Sequence, residues 1–532
     1  MHWPQLLIDQ LVRSGVDTFC ISPGSRSTPL ALAIAHHEGA KSFIHFDERS
    51  MAFHALGRAQ SSGKPIAIVC TSGGAVANLF PAVMEASESR IPLILLTADR
   101  PPELRHRGAN QTADQVKIFG SYVRFFVDLP CSEKNLCGAY LCSTLAYAVQ
   151  MAQTGPVHIN CMFREPFFAE EERLVSTTTH YTKSVPILSH PEQLAALFTG
   201  KKRGVIVVGC AQGLQLTPIV ELSRRLGFPI LADITSGLRS SASEELVHYY
   251  EAILDKSPPE TPDVVLHLGD RLVSKKLAKW LKSPLYCLVA SHSGFHDPEA
   301  SVTHRITHSP SAFCQEILPF CPKQDGWRDQ WQSQSLRYKA RIEASLAQEM
   351  KLNEIEVARS LCHVPKEWGI FIANSMPIRD ADAYLFPQEP IGPIFTSRGL
   401  SGIDGNIATA IGVAQGAARP IVALIGDLAA LHDLNSLAQL ATVNYPLLLI
   451  IINNGGGGIF SFLPIGKEAA TETFFAAAHN FNFRHAAALF NLPYYTPESR
   501  EALQHAILQG ESCLIEVTTN RAENLLLHRK LL

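Results

Sequence analysis

At 532 residues the chain is too long for one hydrophobic core, and its size favours about three domains. With 46% hydrophobic and 18% charged residues it has the composition of a folded protein, and a formal net charge of −3 leaves no basic surplus for nucleic acid. The twelve cysteines form no C-x-x-C pair and no Cys/His group at metal-ligand spacing, which argues for reduced cytoplasmic thiols rather than a zinc site or a disulfide scaffold.

The first stretch, "MHWPQLLIDQLVRSGVD", reads as an amphipathic helix and lacks the charged and apolar regions of a signal peptide. No apolar run in the chain reaches the roughly 18 residues that a membrane span needs. Next, "SFIHFDERSMAFHALG" (42–57) reads as a strand running into a helix, with Glu48 at the junction, where a carboxylate also suits the helix dipole. The short apolar runs "PIAIVC" (65–70), "PLILLT" (92–97), "GVIVVG" (204–209) and "PLLLII" (446–451) alternate with helix-length amphipathic segments. That alternation predicts an α/β protein with parallel sheets covered by helices. A polar, β-branched stretch at 169–186 suits a linker, and a charged stretch of helical pattern at 323–350 suits a connector. Between them "GVIVVGCAQG" and "DVVLHLGDRL" resemble Rossmann strands but lack G-x-G-x-x-G.

The segments beginning at Ala55 and Ala410 repeat each other. A constant offset sets Gly57 on Gly412, Gln60 on Gln415 and Pro65 on Pro420, and after one deletion Pro92 on Pro446. Two related α/β domains therefore flank a different middle one. The copies differ at strand ends: "TSGG" (71–74) stands against "GDLA" (426–429), and "TADR" (97–100) against "IINN" (451–454). Asp427 and Asn454 then end neighbouring strands, where open α/β sheets bind ligands. A carboxylate, an amide oxygen and a carbonyl freed by the glycines at 455–458 would suit Mg²⁺ with a diphosphate; a helix cap and a turn are the plainer alternative.

G-D at 426–427 followed by N-N at 453–454 resembles the signature of thiamine-diphosphate enzymes. Within that class, "ISPGSRSTPLALA" (21–33), "HFDERS" (45–50), "LTADRPPEL" (96–104), "GANQT" (108–112), "SRGLSGIDG" (397–405), "GDLAALHDLNSL" (426–437) and "NNGGGGIFSFLP" (453–464) are similar to the 2-succinyl-5-enolpyruvyl-6-hydroxy-3-cyclohexene-1-carboxylate synthases of menaquinone biosynthesis. The resemblance spans both outer segments and is weaker through the middle.

It implies three domains: an aminopyrimidine-binding domain (1–180), a Rossmann-like central domain (181–345) and a diphosphate-binding domain (346–532). It also implies decarboxylation of 2-oxoglutarate and 1,4-addition of the succinyl unit to isochorismate, with thiamine diphosphate and Mg²⁺ or Mn²⁺. The active sites would lie between subunits of a homodimer or dimer of dimers in the cytoplasm. Glu48 would hydrogen-bond the pyrimidine and promote the tautomer that activates the cofactor. Ile403, which the offset sets on Glu48, would prop the cofactor in its bent form.

Gly426, Asp427, Leu428, Asn454, Gly456, Ile459 and Phe460 complete the implied cofactor contacts, with Asp427, Asn454 and the Gly456 carbonyl on the metal. Ser25, Arg26, Arg100, Asn110 and Gln111 would hold isochorismate, while Ser375 and Arg379 would take the distal carboxylate of 2-oxoglutarate, with Arg398 between the two groups. Lys275, or its neighbour Lys276, would reach in from the middle domain, and Ile459, Phe460 and Leu463 would form an apolar wall. Guanidinium forks suit two dicarboxylate substrates. The chain departs from the family pattern at Gly74, Leu400, Ala429 and Gly455, none of which is an implied catalytic group. A related carboligase of the acetolactate-synthase kind would not need the arginines. A non-catalytic descendant would have lost Glu48, Asp427 or Asn454, and all three are present.

Overall fold

The computed structural model describes residues 3–131, 137–165, 167, 179, 181, 187–211 and 213–531. The expected linker at 169–186 lies almost entirely outside the described residues. Three parallel sheets carry the chain. The first has six strands in the order Lys41–Ile44, Thr18–Ile21, Ile66–Cys70, Leu93–Asp99, Val157–Met162, Phe126–Leu129. The third has the same number in the order Ile394–Thr396, Gly369–Ile372, Ile421–Gly426, Leu447–Asn453, Cys513–Thr518, Tyr494–Tyr495. Numbered within its own sheet, each reads 2-1-3-4-6-5, so the repeat seen in the sequence extends to strands whose residues show no likeness. The middle sheet has five strands, in the order His304–Thr307, Tyr286–Ala290, Val264–Leu268, Gly204–Val208, Ile230–Ala232.

The apolar runs become strands because helices cover both faces; Leu447–Asn453 is buried at every position. The register sets Gly426 beside Ile452, bringing Asp427 and Asn454 to the same edge. The charged stretch at 323–350 contains the helix Arg328–Leu346, whose Trp331, Tyr338, Ile342 and Leu346 are buried. The middle domain is fixed to the third by a buried ion pair, Arg239 Nη2 to Asp382 Oδ1 at 3.0 Å. No helix among the described residues is long and apolar enough to cross a membrane.

The two repeats meet through equivalent helices, Glu48–Ser62 and Asn406–Ala417. A Cβ on Gly57 would stand 2.1 Å from the Thr409 carbonyl oxygen, and one on Gly412 would stand 2.1 Å from that of His54. The repeat offset sets His54 on Thr409 and Gly57 on Gly412, so the two clashes are images of each other. The helices thus cross about a local two-fold axis, at a distance only glycine permits. Ser50 to Ser436 at 2.7 Å and His54 to Gln439 at 2.6 Å stitch the same interface.

Candidate functional site

Asp427 opens the short helix Asp427–His432 immediately after the strand Ile421–Gly426, with Gly426 as its cap. Its carboxylate is buried; Oδ1 accepts from Leu428 N at 2.6 Å and Oδ2 from Gly456 N at 2.9 Å. The plain cap reading therefore covers only half of what Asp427 does, because the other oxygen reaches across to the glycine loop. Desolvation pushes its pKa up, and the Gly456 and Leu428 N–H groups oppose that push. His479 Nε2 is 3.4 Å from Oδ2.

Asn454 donates through Nδ2 to Glu354 Oε1 at 3.0 Å, which turns Oδ1 away; that oxygen is buried with no hydrogen-bond partner. Gly456 has φ +141, and a Cβ there would lie 2.4 Å from the Ala476 carbonyl, so the loop takes this path only with glycine. Gly455 has φ +72, a left-handed conformation that glycine adopts freely.

An orphaned amide oxygen, a buried carboxylate and a loop carbonyl form a hard oxygen set that fits Mg²⁺ or Mn²⁺. Glu354, Asn374, Ser375, Arg398, Ile403, Gly426, Asp427, Leu428, Asn454, Gly456, Ile459 and Phe460 are among the residues lining a cavity of about 430 Å³. The expected diphosphate-domain contacts thus converge on one space. It has the backbone N–H groups of a helix start and a glycine loop at one end and an apolar wall at the other.

Arg379, Met376 and Ile459 also line a second cavity of about 650 Å³, together with Lys275 and Leu463. Lys276 lines it too, but its ammonium is 2.6 Å from Asp255 and 3.7 Å from Glu251. Lys275 has no such partner among the described residues, which favours it over its neighbour. Ser375 has φ +70, a conformation that costs a non-glycine residue about 1–3 kcal/mol. Its carbonyl accepts from Arg379 Nη1 at 2.5 Å. Arg398 Nη1 donates to Asn374 Oδ1 at 2.8 Å. Burial lowers the pKa of both arginines, and Arg398 lowers that of Arg379 further, so a carboxylate entering here would relieve two crowded cations.

The first-domain residues gather elsewhere. Arg100 donates to Ser72 Oγ and, at 2.7 Å, to the Asn110 carbonyl; Gln111 Nε2 donates to the Ser72 carbonyl at 3.2 Å. Arg26 donates to the Phe163 carbonyl at 2.8 Å and pairs with Glu165 at 2.9 Å, and its charge lowers the pKa of Arg100 after burial. Ser25 is exposed beside it. Glu48 is the first residue of its helix, whose cap is Asp47, and accepts from Ser22 Oγ at 3.0 Å. Neither Glu48 nor any of the isochorismate set lines the two cavities that hold Asp427 and Arg379. The repeat also pairs Ser72 and Arg100 with Asp427 and Asn454, and both pairs sit at the same strand ends.

Glu354 is a residue the sequence did not disclose as part of the site. It is buried at a helix start, accepts from Thr519 Oγ1 as well as from Asn454, and is pushed up to about 7 chiefly by desolvation. His479 was missed likewise; only the fold brings either one to Asp427 and Asn454. The sequence has no Cys/His group at metal-ligand spacing, but the fold brings three such residues together. Cys20, His45 and His54 lie far apart in the sequence, yet their ligand atoms lie within 4.8 Å of one another.

Three family descriptions match the chain: the N-terminal TPP binding domain of thiamine pyrophosphate enzymes over residues 1–118, the middle domain of thiamine pyrophosphate enzymes over 172–372, and the C-terminal TPP binding domain over 380–517. The chain is 42% identical to the 2-succinyl-5-enolpyruvyl-6-hydroxy-3-cyclohexene-1-carboxylate synthase of Rubrobacter xylanophilus, covering 100% of this chain and 97% of that protein. It is 42% identical to the synthase of the same name from Salinibacter ruber, over 99% and 95%. The Geobacillus kaustophilus protein of that name is 38% identical, over 99% and 96%.

Proposed function

Because the chain belongs to the 2-succinyl-5-enolpyruvyl-6-hydroxy-3-cyclohexene-1-carboxylate synthases, a family of thiamine-diphosphate enzymes, we propose how its residues divide that family's reaction. The reaction is decarboxylation of 2-oxoglutarate and 1,4-addition of the succinyl unit to isochorismate in menaquinone biosynthesis. When bound, thiamine diphosphate supplies the electron sink that allows loss of CO₂ and turns the former keto carbon into a nucleophile.

Asp427, Asn454 and the Gly456 carbonyl hold a divalent cation, Mg²⁺ or Mn²⁺, against the diphosphate. The orphaned Asn454 Oδ1 is the observation that carries this assignment. Gly426 and Leu428 would contact the diphosphate and Ile403, Ile459 and Phe460 would enclose the rings, since all five line the same cavity. Ser375, Arg379 and Lys275 hold the carboxylates of 2-oxoglutarate, with Leu463 closing the wall that excludes water. Arg398 lies between this group and the residues for isochorismate, which are Ser25, Arg26, Arg100, Asn110 and Gln111.

Glu48 holds the proton exchanged with the aminopyrimidine. Since it stands apart from its own chain's cavity, the Glu48 that serves each cavity comes from a second copy of the chain. The assembly is a homodimer or a dimer of dimers, and the setting is cytoplasmic. The test incubates purified protein with thiamine diphosphate, Mg²⁺, 2-oxoglutarate and isochorismate and follows CO₂ and product by mass. CO₂ from pyruvate, with none from 2-oxoglutarate, would refute the substrate assignment.

A further inference from the structure

Apart from the residues that line the two cavities, three ligating side chains meet in the protein interior. Cys20 comes from the strand Thr18–Ile21, His45 from the turn before the helix Glu48–Ser62, and His54 from that helix. All three are buried, at 0%, 5% and 1% exposure. Their ligand atoms lie within 4.8 Å of one another, and the two imidazoles are edge to face with centroids 4.8 Å apart. Three of the four ring nitrogens, His45 Nδ1, His45 Nε2 and His54 Nε2, have no hydrogen-bond partner, a costly arrangement for polar atoms in the interior.

The fourth nitrogen fixes the tautomer. Asp433 Oδ1 accepts from Ser436 Oγ at 2.6 Å, Ser436 Oγ accepts from Ser50 Oγ at 2.7 Å, and Ser50 Oγ accepts from Gln439 Nε2. The Gln439 amide is thereby oriented with Oε1 toward His54, so His54 Nδ1 carries the hydrogen across the 2.6 Å contact and Nε2 is left with a bare lone pair. A ring nitrogen donating to an amide while the other faces a thiol is how metal-ligating histidines are held.

The charge selects the ion. Arg58 stacks on the Phe43 ring at 4.0 Å and lies close enough to act on Cys20, His45 and His54. A divalent ion on one thiolate would leave a net positive site beside that buried guanidinium, whereas a monovalent ion leaves a neutral one. Three soft or borderline ligands, with no fourth among the described residues, suit copper(I) rather than tetrahedral zinc.

We propose that Cys20, His45 and His54 form a three-coordinate site for a soft monovalent cation, copper(I) in the cell. It is distinct from the Mg²⁺ or Mn²⁺ site and reaches the catalytic machinery through the helix that begins at Glu48. Binding exchanges the Cys20 thiol proton for the metal: one S–Cu and two N–Cu bonds form, one S–H bond breaks, and the proton leaves to solvent with no change of oxidation state.

The test titrates the reduced full-length protein, saturated with thiamine diphosphate and Mg²⁺, with copper(I) against a chromogenic copper(I) chelator. X-ray absorption is then recorded on the loaded protein. Wild type and Cys137→Ser, which removes an exposed thiol, should each hold one copper(I) with one sulfur and two nitrogen neighbours. Cys20→Val and His54→Gln should lose that equivalent; His54→Gln also gives up the 2.6 Å bond to Gln439, so near-wild-type thermal unfolding without metal is expected of Cys20→Val alone. Should Cys20→Val fail to fold, His45→Gln serves in its place, since that side chain bonds to nothing in the metal-free protein. Copper retained by the His45→Gln variant, sulfur-only coordination, or tighter retention of zinc than of copper(I) would each overturn the assignment.

Discussion

Replacing Glu354 with leucine removes the acceptor that orients Asn454 while keeping a side chain of similar reach. In the native site Glu354 Oε1 takes the Asn454 Nδ2 hydrogen at 3.0 Å, which leaves Oδ1 as the only face the amide presents to the cation. Without it the amide gains by turning over, and an N–H donor then faces Mg²⁺. A hydrogen bond to a charged group contributes about 1.5–3 kcal/mol. At about 1.4 kcal/mol per tenfold this is a loss of roughly 10- to 100-fold in metal affinity, the range usual for groups that support metal ligands. The assay is calorimetric titration of Mg²⁺ into protein with thiamine diphosphate present, at about pH 8, above the Glu354 value of about 7, so that the native group is charged. Glu354→Gln keeps an acceptor for Asn454 and should lie within a few-fold of wild type. Mg²⁺ affinity of Glu354→Leu equal to wild type, with the fold intact, would refute the view that Glu354 holds this ligand.

The other expectations concern the helix crossing, the subunit arrangement and pH. Gly412→Ala would add about 1 kcal/mol of stability in an exposed helix, but a Cβ 2.1 Å from the His54 carbonyl must push the helices apart. The expected result is a loss of about 1–3 kcal/mol in thermal unfolding, and a gain would show that the crossing yields freely. Glu48→Gln and Asp427→Asn should each abolish turnover without unfolding the chain. Co-expressed in equal amounts they should recover about a quarter of wild-type activity, because half the dimers are mixed and each of these has one intact site. No recovery at all would place both groups in one subunit's site. Burial pushes Asp433 up to about 6 from the usual 3.8, so the folded state binds a proton there that the unfolded chain has already released. The stabilisation present below pH 3.8 is therefore lost as pH rises toward 6, and the melting temperature of wild type should fall relative to Asp433→Asn over that window. A difference that is flat with pH would contradict the sign.

What could be read from the sequence was whatever the chain repeats or punctuates. The strands announce themselves as apolar runs because parallel sheets are buried on both faces, and the repeat offset placed Asp427 and Asn454 at matching strand ends before any geometry was available. Glu354, His479 and the Cys20, His45 and His54 cluster were not legible, since each contact joins segments whose spacing obeys no period. His54 sits on a helix facing another helix, a position that reads as core. Lys275 and Lys276 could not be separated by pattern; Asp255 and Glu251 separate them by occupying one of the two.

The helix crossing also bears on the proposal that a second copy of the chain completes the site. The repeat offset that pairs Gly57 with Gly412 also pairs Glu48 with Ile403, each nine positions before its glycine, Glu48 as the first residue of its helix and Ile403 shortly before Asn406 opens the other. Ile403 opens into the cavity of its own domain, beside Asp427. By the same offset Glu48 opens into the equivalent crevice of the first domain, where Ser72 and Arg100 stand in the places of Asp427 and Asn454. Glu48 does not line the cavity that holds Asp427 in its own chain. On the assignment proposed above, a cofactor held by its diphosphate at Asp427 would meet a Glu48 only if a second copy set its first-domain crevice against the cavity. The 70% exposure of Phe46 and 62% exposure of Ile44, both next to Glu48, give that second copy an apolar surface to cover. Replacing Phe46 with lysine should then weaken assembly and turnover together, and sedimentation showing an intact dimer with normal activity would separate this surface from the site.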